Sequence, residues 1–134
     1  MATRSIIAKL DDNGVQAIYC HNDGYLSNNG KILDQHYQNE VKVDNLIAQG
    51  DASSLKDTIE DTIFYMRDRS EKNKEATNLN NETKLLEFAF ESCDAEVVYM
   101  YAYGSWYVYD NSNKIGNTSY QFIELEEALY NVLA

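Results

Sequence analysis

The stretch EVVYMYAYGSWYVYD, residues 96–110, is the second of two hairpins that the sequence predicts. β-branched and aromatic residues dominate both sides of Gly104-Ser105, a dipeptide that suits a type II′ turn. With this turn Tyr101 faces Val108 across a hairpin. Both faces of the hairpin carry apolar or aromatic side chains, which is typical of central strands covered by helices. The stretch therefore predicts a hairpin in the middle of a sheet.

An earlier hairpin is predicted from residues 6–10 and 15–20, which are rich in β-branched side chains. Asn13-Gly14 indicates a type I′ turn, because both central positions of that turn require positive φ. Side chains alternate between the two faces of a strand, and one face of this hairpin is the more polar. We therefore expect one buried face.

The turn at Asn13-Gly14 pairs Leu10 with Ala17 and assigns every side chain of this hairpin to a face. The face predicted to be buried carries Ile6, Ala8, Leu10, Ala17, Tyr19 and His21. The more polar face carries Ile7, Lys9, Asp11, Gln16, Ile18 and Cys20.

The rest of the chain predicts helices around these hairpins. Helical spacing of apolar residues falls in residues 30–39, 40–49, 82–93 and 124–133, and in a shorter segment through Leu55 and Ile59. Residues 62–66 are β-prone, residues 120–123 suit an edge strand, and the asparagine-rich residues 72–81 suit a mobile loop. The sum is one α+β domain spanning residues 1–134, with helices packed on an antiparallel sheet of four to five strands built from two hairpins.

Charge is the most pronounced feature of the composition. The 134 residues include 22 acids and 11 bases, giving a net charge of −11. The segment from residue 85 to the end has a single base, Lys114, and its acids are Glu87, Glu91, Asp94, Glu96, Asp110, Glu124, Glu126 and Glu127. Such a surface repels phosphate backbones, so direct nucleic-acid binding is not expected, whereas a basic protein surface would be attracted. The alternative is that the acidity serves only solubility.

The sequence also limits the cellular compartments in which we expect the protein. No apolar run approaches the length of a membrane span, and the opening MATRSII lacks the apolar core of a secretory signal. Two distant cysteines do not make a disulfide framework. We therefore expect a protein without a membrane segment that works in the cytoplasm, which is the host-cell cytoplasm if the resemblance given below holds.

Residues 17–37 concentrate chemically versatile side chains and suggest a pocket. Our candidates for a ligand or partner pocket are Arg4, His21, Asp23, Tyr25, His36, Arg67 and Arg69. Two arginines could grip an anion while tyrosine rings stack on a base, as a nucleotide pocket needs. The alternative is that Arg67 and Arg69 only pair with neighbouring carboxylates.

Metal binding and nucleophilic catalysis have weaker support. His21, Asp23, His36 and Cys20 have suitable ligand chemistry, but adjacent strand residues point to opposite faces, and no paired His or Cys spacing is present. Neither cysteine has a base in an evident position, so burial as a small apolar side chain is the simpler reading. We expect no metal, no cofactor and no catalytic residue.

The aromatic cluster of the second hairpin has two interpretations. It consists of Tyr99, Tyr101, Tyr103, Trp106, Tyr107 and Tyr109. Tyrosine and tryptophan are enriched at interaction hot spots, yet they also fill sheet cores with their polar atoms at the rim. We expect core packing for most of one face, and the remaining aromatics suggest contact with a partner or a second copy in a homodimer.

Several short motifs resemble those of a family of small phage and prophage proteins of unknown role. The motifs are TRSII at 3–7, YCHNDGY at 19–25, GKILDQHY at 30–37, RDRSE at 67–71 and GSWYV at 104–108. Asn22 stands where the family often has tryptophan. The resemblance implies a phage origin and brings no known reaction with it.

Three functions follow as ranked hypotheses. The first is a non-enzymatic phage counter-defence protein, such as an anti-CRISPR or anti-restriction inhibitor, that binds a basic host defence protein through its acidic surface. The second is a nucleotide-binding protein that sequesters a defence signal. The third is a nucleotide-processing enzyme with His21 and Asp23 as its acid–base pair.

Overall fold

The computed structural model describes residues 3–111 and 122–133. The strands over these residues are β1 (Ser5–Asp11), β2 (Gly14–Cys20), β3 (Ala52–Ser54), β4 (Ile63–Phe64), β5 (Thr77–Leu79), β6 (Val97–Ala102), β7 (Ser105–Asp110) and β8 (Ile123–Glu124). The helices are α1 (Lys31–His36), α2 (Glu40–Ala48), α3 (Tyr65–Arg69), α4 (Glu82–Glu87) and α5 (Leu125–Leu133). A π-helical turn, Leu26–Gly30, precedes α1, and another, Phe88–Ser92, continues α4.

The α+β class is confirmed, but the predicted sheet was too small and too regular. Eight strands form one sheet in the order β4-β3-β2-β1-β6-β7-β8, with β5 also paired to β2. The sheet is mixed because β1 pairs with β6, and β2 with β3, in parallel. Turn chemistry specifies partners only within a hairpin, so the parallel joints between distant segments could not be read from the sequence.

The parallel β1–β6 pairing fixes the direction of the two hairpins relative to each other. Both strands are buried, and each is followed by a hairpin turn and a returning antiparallel strand. Because β1 and β6 run in the same direction, the β1–β2 and β6–β7 turns lie at the same end of the sheet. We call this the turn end and the other the opposite end, where β1 begins and β2 finishes.

Both hairpins form with their turns one residue earlier than predicted. Leu10 pairs with Val15 instead of Ala17, and Tyr101 pairs with Trp106 instead of Val108. A register change of two residues leaves every side chain on its predicted face, because strand side chains repeat with period two. The assignment of residues to faces therefore survives the error in the turns.

Both faces of the first hairpin are buried, whereas the sequence predicted only one. Ile7, Ile18 and Cys20 of the predicted polar face are fully buried under α1, α2 and α5, and we call this side the α2 face. The other side, the α4 face, packs Ile6 and Ala8 against α4 and the turn that follows it. Because helices cover both faces of the sheet, the polar side chains on one strand face did not mean that this face was exposed.

Four further predictions need correction in detail. The short helix expected through Leu55 and Ile59 is absent from the described residues, where β3 and a turn replace it. Residues 62–66 give only the two-residue β4 before α3 begins. Within the expected loop 72–81, Thr77–Leu79 pairs with β2. The edge strand predicted over residues 120–123 overlaps β8 only at Ile123, while residues 120 and 121 lie outside the described residues.

Candidate functional site

Arg67, a predicted anion-binding residue, is used to hold its own loop. Its guanidinium donates hydrogen bonds to the carbonyl oxygens of Ile59 (2.8 Å), Glu60 (3.2 Å) and Thr62 (2.5 Å). The Nε and Nη2 groups also donate to the Asp68 carboxylate at 2.9 and 3.0 Å. Hydrogen bonding to Arg67 lowers the pKa of Asp68, as expected of a bidentate pair. This geometry matches the structural alternative for Arg67.

Arg4 and His21 come together around Tyr19. The Tyr19 hydroxyl and His21 Nδ1 share a hydrogen bond of 2.7 Å. Burial raises the pKa of Tyr19, and the nearby Arg4 charge opposes that rise. Arg4 also reaches the exposed Asp94 carboxylate at 3.4 Å. Two of the seven predicted pocket residues therefore meet at the opposite end of the sheet.

The remaining pocket candidates are spread over separate places. His36 lies 3.6 Å from the Asp57 carboxylate, and the Arg69 guanidinium stacks over the Tyr65 ring. Asp23 has a left-handed backbone (φ +57°) and accepts hydrogen bonds on its carbonyl oxygen from Asn28 and Asn29. Tyr25 is exposed. The contacts of these residues do not join them into one site.

The two cysteines are poorly suited to nucleophilic chemistry. Burial raises the pKa of Cys20 to about 11, and burial together with the Asp51 charge raises the pKa of Cys93 to about 11. Both thiols are therefore protonated at neutral pH. Within residues 3–111 and 122–133 no group of three or more His, Cys, Asp or Glu side chains is placed to hold a metal ion.

The acids of the C-terminal third do not share one surface. Glu87 and Glu91 lie on α4 and the turn after it, which cover the α4 face. Glu124, Glu126 and Glu127 lie on β8 and the first turn of α5, which packs on the other side of the sheet. Asp94 pairs with Arg4, while Glu96 precedes β6 and Asp110 ends β7 at the opposite end. The sheet therefore divides the predicted acidic face.

The aromatic cluster is mostly core. Tyr99, Tyr101, Trp106 and Tyr109 are buried, and Tyr107 is partly buried. Tyr99 donates a 2.6 Å hydrogen bond to the Gly24 carbonyl oxygen, and Trp106 Nε1 donates a 2.7 Å bond to the Tyr37 carbonyl oxygen. Tyr103 is the exception.

Tyr103 is 80% exposed at the tip of the β6–β7 turn. Its φ is +52° and that of Gly104 is +85°, so both central residues of the turn have the left-handed backbone of a type I′ hairpin. Asparagine or glycine is usual at the first of these positions, and other residues lose roughly 1–2 kcal/mol there because of their Cβ. Because Tyr103 buries little surface, its packing does not offset that cost.

Three hollows surround Tyr103-Gly104. The acidic hollow, about 360 Å³, is lined by Asp34, Gln38, Tyr101, Gly104, Ser105, Trp106, Glu124 and Glu126. The apolar hollow, about 420 Å³, is lined by Leu10, Glu82, Met100, Ala102, Tyr103, Tyr107 and Phe122. The turn hollow, about 190 Å³, is lined by Lys9, Leu10, Asp11, Asp12, Glu40, Tyr101, Tyr103 and Gly104.

Carboxylates from five separate segments border these hollows. They come from the β1–β2 turn, α1, the start of α2, the start of α4, and the β8–α5 junction, and they are Asp11, Asp12, Asp34, Glu40, Glu82, Glu124 and Glu126. Lys9, the base that lines the turn hollow, is buried and bonded to Glu40 at 3.0 Å and Asp44 at 2.5 Å. Burial opposes its charge, but the bonds to Asp44 and Glu40 outweigh burial and raise its pKa.

The negative field at the turn end also affects Asp34. Burial raises the pKa of this carboxyl, and the charge of Glu126 raises it further. A carboxylate that is destabilised by a like charge would be stabilised by an incoming cation. The turn end is therefore a negative surface with an exposed aromatic residue at its centre.

Sequence reasoning found only part of this surface. Glu124, Glu126 and Tyr103 were candidates, whereas Asp11, Asp12, Asp34, Glu40 and Glu82 were not. Their acidity was visible, but their proximity depends on the parallel β1–β6 joint. The non-glycine residue at Tyr103, directly before Gly104 in a hairpin turn, was the one local signal.

No protein-family model, curated protein or solved structure matches this chain. In the described part of the chain, no helix combines the length and apolar character that a bilayer crossing requires. The site must therefore be interpreted from its own geometry and charge.

Proposed function

We propose that the protein is a non-enzymatic inhibitor that docks its turn end on a basic surface of a host protein. The partner class that fits best is a protein that handles nucleic acid, because its binding surface is basic and an acidic protein can occupy it. With the phage-like motifs, this makes counter-defence, for example against a defence nuclease, the biological setting that we propose.

The convergence of carboxylates around Tyr103 is the observation that carries this proposal. Five chain segments deliver acids to the turn end, and Lys9, which lines the turn hollow, is neutralised by two carboxylates. Interaction hot spots combine an exposed aromatic anchor with complementary charge around it. The turn end has both features.

The nucleotide-sequestering alternative has less support. Arg67 already donates to three carbonyl oxygens and Asp68, so a phosphate could bind its guanidinium only by displacing these acceptors of its own loop. The enzymatic alternative relied on His21 and Asp23, and the His21 ring bonds Tyr19 instead of Asp23. Both alternatives rank below docking.

The experiment compares two triple variants with the same net charge. One reverses acids of the turn end (Asp11→Lys, Asp12→Lys, Glu126→Lys), and the matched control reverses exposed acids elsewhere (Glu71→Lys, Glu75→Lys, Glu91→Lys). Each tagged protein is mixed with lysate of a bacterial host at low and high salt, and retained proteins are identified by mass spectrometry.

We expect the wild type and the control to retain the same nucleic-acid-handling protein at low salt and to lose it at high salt, because exposed charge contacts are screened. The turn-end variant should lose it at both. Equal retention by the two variants, or no such protein retained by the wild type at low salt, would contradict the proposal.

A further inference from the structure

Tyr103 is placed where folding alone would favour another residue. The two left-handed positions of a type I′ turn suit Asn-Gly, and Gly104 already fills the second. The phenol is exposed, so the sheet does not need its ring for packing. Backbone strain at an exposed aromatic residue is a feature of binding sites, where the contact made on binding compensates for it.

The surface beside Tyr103 is apolar on one side of its ring and acidic on the other. The apolar hollow on the α4 face is lined by Leu10, Met100 and Tyr107, and it has room for a large apolar side chain. The turn hollow on the other side of Tyr103 presents Asp11 and Asp12. Tyr103 and Leu10 line both hollows, so the two are continuous across the ends of the hairpins.

The charges around the two hollows indicate which kind of segment they would bind. Glu82 borders the apolar hollow, and Asp11, Asp12 and Glu40 border the turn hollow. An acidic or neutral apolar segment would gain nothing from these carboxylates, whereas Lys or Arg beside an apolar anchor would match both hollows.

We infer that Tyr103 is the anchor of a docking groove for a basic partner segment. In this segment one bulky apolar side chain enters the apolar hollow, and neighbouring Lys or Arg side chains face Asp11, Asp12 and Glu40 across the Tyr103 ring. The inference rests on the proposed function and adds that the partner is recognised by an apolar residue as well as by charge.

The test uses two synthetic peptides as probes. Both carry Lys and Arg on each side of a central position, which is Leu in one peptide and Ala in the other. Binding is measured at low salt by amide chemical-shift changes in the full chain. We expect the Leu peptide to bind about tenfold more tightly, with the largest shifts at Met100, Ala102 and Tyr107.

Tyr103→Asn supplies the matched protein variant. Asparagine tolerates the left-handed backbone, so the thermal midpoint should not fall, while affinity for the Leu peptide should drop about tenfold. Tyr130→Gln, which removes another exposed tyrosine, should leave the affinity unchanged. Tyr103→Gly serves the same purpose if the asparagine variant does not fold.

Each outcome separates the inference from the proposed function. If the two peptides bind equally at the turn end, only charge is recognised, and the groove is rejected while acidic docking stands. If neither peptide binds at low salt, both fail. If light scattering shows a dimer that Tyr103→Asn converts to a monomer, the occupant is a second copy, and the inference is overturned.

Discussion

The two ends of the sheet use polar groups in different ways. At the opposite end, polar groups bond to one another: Gly24 donates to the Thr3 carbonyl oxygen at 2.8 Å, and Asn29 Nδ2 donates to Ser5 Oγ at 3.3 Å. At the turn end, exposed carboxylates crowd around hollows and a strained Tyr103. The opposite end is organised for folding, while the turn end carries features that folding does not require.

On the basis of this difference we propose that docking uses the turn end, and not the end that contains residues 17–37. The residues 17–37 looked like a site because they hold both histidines and many turn residues. In the structure their polar groups largely form hydrogen bonds with nearby backbone and side-chain groups. If that interpretation is right, changes at the opposite end should alter stability, and changes at the turn end should alter binding or titration.

The largest expected effect is at Gly24. A Cβ there would lie 2.6 Å from Ser5 Cβ and 2.8 Å from the Thr3 carbonyl oxygen. Overpacking against backbone should make Gly24→Ala lower the free energy of unfolding by about 2–3 kcal/mol. Urea denaturation measures this.

Gly104→Ala at the turn end is the control for that substitution. Its φ is +85°, and a Cβ would meet nothing within 4 Å, so only the backbone cost of roughly 1–2 kcal/mol is expected. A larger loss at Gly104 than at Gly24 would reverse the contrast between the two ends.

Arg67→Lys should give a smaller, local effect. Lysine keeps the charge but cannot donate to three carbonyl oxygens and a carboxylate at once. Amide hydrogen exchange should therefore quicken across residues 59–64, while capture of the host protein is unchanged. Loss of capture with unchanged exchange would restore Arg67 as a binding residue.

The pH dependence of stability should reveal Asp51. Burial raises its pKa above 3.8, although the Tyr19 amide and Lys74 oppose the rise. The folded state therefore holds this proton more tightly, so the stability linked to Asp51 is full below pH 3.8 and is lost as pH rises through the raised pKa. Asp51→Asn keeps an acceptor for Tyr19 and should flatten that loss in denaturation curves across acidic pH. An unchanged slope would refute the assignment.

The smallest expected effect is electrostatic coupling within the acidic hollow. Glu126→Gln removes the like charge beside Asp34 and should lower the pKa of Asp34 toward its usual range, as measured by carboxyl NMR titration. Glu127→Gln, one residue further along α5, is the control. The same shift in both variants would argue against a specific contact.

Much of the fold could be predicted because it is encoded locally. The helix over residues 40–49 was predicted from its apolar spacing and Gly50, and it is α2 in the structure. The turns were misplaced because each was predicted from the position of its glycine. Gly14 was taken as a central residue of its turn, but it follows the turn with φ +111°. Because strand side chains alternate with period two, this error did not change the face to which each residue was assigned.

The candidate site was less accessible because it depends on contacts between distant segments. The pocket around His21 and Arg67 was predicted from residue types, yet Arg67 is used by its own loop. The acids of the C-terminal third were taken as one face, and the sheet separates them. Neither composition nor spacing can say which charges share a surface.

Local sequence encodes the two hairpins, the faces of their strands, the main helices and the acidity of the chain, because each depends on residues close together along it. The parallel pairing of β1 with β6 became visible only once the chain was folded. An antiparallel joint would have placed the two turns at opposite ends. The parallel joint brings the turns and their acids together, and such long-range pairing leaves no periodic signal in the sequence.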